Sequence, residues 1–139
     1  MAGIRRKQPE QEFHKTVARF LDAALPPSCW WTTFPSGGGG KARGGKLKAM
    51  GLKPGVADIL ILASHVTDNS IEVIWLELKV PEGRTSPAQQ AFTTAMFSLP
   101  RVYPYVVRTM EGIEAVLIGH GIQLRARITA GGAWAKEAA

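Results

Sequence analysis

Residues 71–80 read Ile71-Glu72-Val73-Ile74-Trp75-Leu76-Glu77-Leu78-Lys79-Val80, and the reading of the whole chain turns on them. So apolar a run, rich in β-branched and aromatic residues, is a buried strand. Side chains alternate across a strand, so Val73, Trp75, Glu77 and Lys79 share one face. A carboxylate and an ammonium at the end of a covered face need partners. Either they pair with each other, or they hold a metal and a reacting water.

The segment before it, "VADILILA" at 56–63, is a second strand, and the polar stretch "SHVTDNS" between them is a turn. The two strands form a hairpin. Asp58 opens the first strand directly after Lys53-Pro54-Gly55, so pairing brings it beside Glu77. Two adjacent carboxylates repel unless a cation lies between them. Mg²⁺ suits such a place, because it takes a few carboxylates and keeps waters and phosphate oxygens as its other ligands. A lysine beside an activated water can orient it or help deprotonate it. These parts describe metal-assisted hydrolysis of a phosphodiester.

Apolar residues Phe13, Val17, Phe20, Leu21 and Ala24 recur at helical spacing over 10–25, and Pro26-Pro27 ends that helix. "CWWTTF" at 29–34 is a strand. The glycine- and lysine-rich stretch from Pro35 to Gly55 is expected to be a mobile loop, with at most a helical turn around Lys46–Met50. Ser86-Pro87-Ala88-Gln89 opens a helix reaching about Ser98, with Ser86 as N-cap and Gln89 completing a capping box. "RVYPYVVRT" is a strand, "MEGIEAVLIG" a short helix and "IQLRAR" a last strand. Residues 1–9 form a flexible basic arm, 10–128 the domain and 129–139 a frayed tail onto which Trp134 can fold back. This order is that of an α/β sheet domain.

The 139 residues suit one domain, and 45% hydrophobic residues suffice for its core. The net charge of +6 points to a polyanionic partner, with nucleic acid the first candidate. Cys29 is the only cysteine, which excludes an internal disulfide and a cysteine zinc cluster. The basic N-terminus lacks the apolar core of a secretory signal. No apolar run reaches the roughly 20 residues of a membrane span. The expectation is a soluble, intracellular protein.

The acid at one strand start, the Glu-x-Lys ending the next and the Ser-x-x-Gln helix start together resemble the PD-(D/E)xK nuclease superfamily. Within it, "GLKPGVADILIL", "IWLELK" and "SPAQQAF" look like the VRR-Nuc (virus-type replication-repair nuclease) family, over residues 10–108. The resemblance implies a restriction-endonuclease-like core, a mixed sheet flanked by helices. It implies that Asp58, Glu77 and the Leu78 carbonyl bind metal, that Lys79 is the catalytic lysine and Gln89 the supporting glutamine, and that Glu12 is an auxiliary acid. Gln89 is equally explained by its cap, and Glu12 by a helix start, where acids are favoured. The chain differs from the superfamily pattern in having Ala57, not proline, before Asp58.

The resulting expectation is a Mg²⁺-dependent DNA endonuclease, in which Mn²⁺ can substitute. It would act as a homodimer on branched or four-way-junction (Holliday junction) DNA by single-step attack of an activated water. Lys41, Arg43, Lys46 and Lys48 would meet DNA phosphates. The alternative is a nuclease-like fold that holds DNA without cutting it. Gly40-x-x-x-x-Gly45-Lys46 begins a P-loop, but Leu47 stands where that motif needs Ser or Thr, so no nucleotide cofactor is expected.

Overall fold

A computed structural model describes residues 9–34, 40–65 and 67–137, with side chains left undescribed at 40–44. The basic arm at 1–8 lies outside the described residues. The fold is mixed α/β, with elements in the order α1 (Pro9–Ala24), β1 (Cys29–Thr33), α2 (Gly40–Ala49), β2 (Ile59–Ser64), β3 (Ile71–Leu78), α3 (Pro87–Phe97), β4 (Val102–Val107), α4 (Met110–Gly119), β5 (Ala126–Ile128) and β6 (Trp134–Lys136). No helix among the described residues is long and apolar enough to cross a membrane.

The chain divides into two compact units. One comprises Pro27–Glu77 and Arg84–Val106; the other comprises the chain up to Pro26, Leu78–Gly83 and everything from Val107 onward. The four-stranded sheet has the order β1-β2-β3-β4. β1 pairs antiparallel with β2, and β2 antiparallel with β3 in the expected hairpin, with Ile59 opposite Leu76 and Ile61 opposite Ile74. β3 and β4 run parallel: the Val73 N–H donates to the Arg101 carbonyl and the Lys79 N–H to the Val107 carbonyl, at one constant offset. The sheet is therefore mixed. One sheet face carries Ile59, Ile61, Ile74 and Leu76, all fully buried. The other carries Trp75, which packs edge-on against Phe92 of α3 at 5.1 Å and against Phe34 at 5.5 Å. On β4, Pro104 interrupts the row of backbone donors on an edge strand, a sheet position that tolerates it.

In the unit that contains α1 and α4, α1 buries Val17, Phe20, Leu21 and Ala24, the stripe its periodicity predicts. α4 buries Met110, Ile113 and Leu117. β5 packs against both helices. The Arg125 N–H donates to the Ala24 carbonyl at 2.8 Å.

Two expectations need correction. The Gly/Lys-rich segment is not loop throughout, since α2 covers Gly40–Ala49. Its end is closed by a Schellman pair, Leu52 N–H to Leu47 carbonyl and Gly51 N–H to Lys48 carbonyl, with Gly51 at φ +105°. The glycine that reads as loop composition is here a helix stop. The stretch read as a frayed tail contains a 3₁₀ turn at Ala130–Gly132 and the strand β6, which pairs with β5. Trp134 meets the edge of Phe20 at 6.1 Å, and burial of that ring is what draws β6 in.

Candidate active site

Glu77 is the only buried polar or charged residue among those described, at 7% exposure. It follows Trp75 on the face beneath α3. The ladder between β2 and β3 ends at Ile59 opposite Leu76; one step further out, the register sets Asp58 opposite Glu77 on that same face. β1 extends this register: the Asp58 carbonyl accepts the Phe34 N–H at 3.0 Å and the Thr33 hydroxyl at 2.9 Å. The Asp58 backbone is thus tied to β1 after its pairing with β3 has ended, in a bend just before β2, and the residue is half-buried.

α3 brings the third member. Ser86 caps the helix, with its hydroxyl accepting the Gln89 N–H at 3.1 Å while the Gln89 side-chain oxygen accepts the Ser86 N–H at 2.8 Å. That bond fixes the amide's orientation and turns its nitrogen outward. The nitrogen donates to Glu77 Oε1 at 2.6 Å. Gln89 and Phe92 lie one turn apart on one helix face, so a single face of α3 covers both Glu77 and Trp75. Gly55, at φ +78°, abuts the first turn of α3: a Cβ there would collide with the Ala88 carbonyl and stand 2.6 Å from the Gln89 nitrogen. A cavity of about 10 Å³, room for a single water, adjoins Glu77, Gln89, Ala57 and Tyr105.

Of the other expected residues, Glu12, Leu78 and Lys79 belong to the other unit. Lys79 is 12% exposed, and its ammonium lies 3.9 Å from Glu10 Oε1. Glu12, expected as the auxiliary acid, instead approaches Lys15 one turn along α1 at 3.8 Å. Glu10, on the same first turn of α1, is the acid that lies beside Lys79. Its only sequence signal was a helix-start position shared with Glu12, and choosing between them requires knowing which face of α1 meets Lys79. Of the expected phosphate-binding cations, Lys46 and Lys48 are exposed in the last turn of α2. The side chains of Lys41 and Arg43 lie outside the described residues.

Among the described residues no three His, Cys, Asp or Glu side chains group to hold a metal. A two-carboxylate donor set still fits Mg²⁺, which draws few ligands from protein and completes its shell with water and phosphate oxygens. It does not fit a structural zinc, which needs four ligands from nitrogen and sulfur.

No protein-family profile, curated protein or solved structure matches the chain.

Proposed function

We propose that the chain is a Mg²⁺-dependent DNA endonuclease of the PD-(D/E)xK type, similar to VRR-Nuc nucleases. The observation that carries this reading is the setting of Glu77. It is a buried carboxylate, bonded to a helix-capping glutamine and set by strand register opposite a second carboxylate. A core strand has no packing reason to keep a carboxylate there, and removing it from water is costly unless its charge has a use.

Asp58 and Glu77 would hold the cation, together with the Leu78 carbonyl one peptide bond on. Mg²⁺ bound there would supply positive charge against the charge that develops on the phosphoryl oxygens and would make a nearby water more acidic. Gln89 holds one Glu77 oxygen, and the other would face the cation. Lys79, two residues along the chain, would orient the attacking water by donating a hydrogen bond to it, the water's proton passing to solvent, with Glu10 beside the Lys79 ammonium. The exposed Lys46 and Lys48, with Lys41 and Arg43, would contact the DNA backbone. A basic chain reading phosphates suits substrates recognised by shape, such as branched or four-way DNA bound by a homodimer.

The test is incubation with linear, nicked, flapped and four-way DNA in Mg²⁺ or EDTA, with Lys79→Met alongside. Metal-dependent cleavage, slowed about a hundredfold or more in Lys79→Met while melting is unchanged, is the expected result. Binding of DNA without cleavage in any metal would instead make the chain a DNA-holding module.

A further inference from the structure

Directly after Lys79 the chain makes a tight turn, closed by the Gly83 N–H donating to the Val80 carbonyl at 2.9 Å. The turn leaves several backbone carbonyls converging on one point. Arg108, the residue after β4, fills that point. A single guanidinium nitrogen, Nη1, donates to the carbonyls of Gly83 at 2.6 Å, Val80 at 2.9 Å and Pro81 at 3.3 Å. The neighbouring Val107 carbonyl accepts the Lys79 N–H at 3.0 Å. Two consecutive residues at the end of β4 therefore hold the lysine's own backbone and the turn that follows it.

The turn also lies against the lysine's side chain. A Cβ built on Gly83 would stand 3.4 Å from Lys79 Cδ and 3.2 Å from the Val80 carbonyl oxygen. The glycine backbone thus closes over the aliphatic stem, which helps explain why a lysine side chain is only 12% exposed. A long flexible stem surrenders rotamer freedom only where something packs along it. The charge of Arg108 also matters: three carbonyl dipoles aimed at one place repel one another unless a cation sits among them.

We infer that Arg108 is a positioning residue for the reaction. By gathering the Val80, Pro81 and Gly83 carbonyls it folds the turn onto the Lys79 stem and fixes where the ammonium points. The catalytic part of this inference rests on the role proposed above for Lys79; the clamp itself does not. Arg108 touches no substrate in this scheme and acts only through Lys79.

The test compares wild type, Arg108→Ala and Arg108→Lys in two measurements. The first is acetylation of each lysine by an N-hydroxysuccinimide ester, followed by mass spectrometry, with the exposed Lys46 and Lys48 as internal references. Lys79 labelling should rise severalfold in Arg108→Ala, stay near wild type in Arg108→Lys, and leave the references unchanged. The second is single-turnover cleavage at saturating Mg²⁺. Arg108→Ala should be slowed about tenfold or more with its DNA affinity unchanged, as expected when a reacting group is misplaced by a fraction of an ångström. Millimolar methylguanidinium should restore part of that rate, and none in Lys79→Met. Thermal melting identifies a variant that has merely unfolded; in that case Arg108→Lys decides. Unchanged Lys79 labelling in a folded Arg108→Ala protein overturns the clamp while leaving the nuclease reading intact. Raised labelling with an unchanged cleavage rate overturns the catalytic inference. A wild type that fails to cleave DNA overturns the nuclease reading and the catalytic role of Arg108 with it, while the labelling result still decides the clamp.

Discussion

The Gln89 amide joins the Ser86 N–H to the Glu77 carboxylate, accepting from the first at 2.8 Å and donating to the second at 2.6 Å. Capping and support of an acid had been competing explanations of one glutamine; the geometry makes them one arrangement. The cap fixes which end of the amide faces the acid, so a helix terminus sets the hydrogen bonding of a buried carboxylate.

This separates two substitutions. Gln89→Glu preserves the capping box, since glutamate serves equally at that helix position. It also replaces a donor by a carboxylate facing Glu77. The variant should lose about 2 kcal/mol in urea unfolding at neutral pH, as expected when a buried charged group loses its partner. Part of that loss should return on acidification, when one of the two acids takes a proton. Stability equal to wild type would leave Gln89 a cap only.

On the proposed metal role, Asp58→Asn and Glu77→Gln would each remove a ligand charge. Cleavage in Mg²⁺ should fall below detection, a loss of at least about a hundredfold, while DNA affinity by fluorescence anisotropy is kept or improved. Millimolar Mg²⁺ should raise the melting temperature of wild type and of neither variant, because only a site that binds the ion gains stability from it. Full-rate cleavage by either variant would refute the metal assignment.

Replacing Gly55 by alanine should destabilise the protein by about 1–3 kcal/mol from the left-handed backbone alone, with a further loss from the collision with the Ala88 carbonyl. The first turn of α3 must then move, and Gln89 with it. A urea midpoint indistinguishable from wild type would show that the two backbones do not approach so closely.

Glu114 predicts a pH response. Burial pushes its carboxyl up, but the Ile128 N–H at 2.6 Å and the Arg127 guanidinium at 3.1 Å outweigh this, and the net shift is below the ordinary 4.5. A depressed folded value gives stability that is complete above 4.5 and is lost as pH falls below it through the folded value. Wild type should therefore melt above Glu114→Gln at pH 6–7, and the gap should close on acidification below 4.5. A gap that is constant down to the acid transition would remove Glu114 from the account.

Neutralising Lys41, Arg43, Lys46 and Lys48 together should weaken binding to all DNA sequences alike. It should also flatten the plot of log affinity against log salt by about 0.9 for each phosphate that the protein no longer neutralises. An unchanged slope would mean that α2 does not reach the backbone of DNA.

The hairpin and its charges were legible because they are local. Period-two alternation, a polar turn and a carboxylate in an apolar strand need no distant information. The α3 capping box was legible for the same reason, as four consecutive residues specify it. α2 was missed because glycine count outweighed Ala42, Leu47 and Ala49 as a signal, although Gly51 followed by Leu52 is a recognisable helix stop. β6 is three residues long, and its place depends on Trp134 finding Phe20 across more than a hundred positions of chain. The Glu10–Lys79 approach likewise depends on tertiary packing, which no spacing within α1 reveals.

Pro104 bears on assembly. β4 lies at one margin of the sheet, and the proline removes a backbone donor midway along it. A further strand could not zip onto that margin without leaving an acceptor unmet, so β4 is protected against edge-to-edge aggregation. The opposite margin, β1, has no such break within Cys29–Thr33 and presents Trp30 at 58% exposure. If two copies of this chain join by continuing their sheets, they will do so through β1, as an antiparallel seam of eight strands with a tryptophan from each copy beside it.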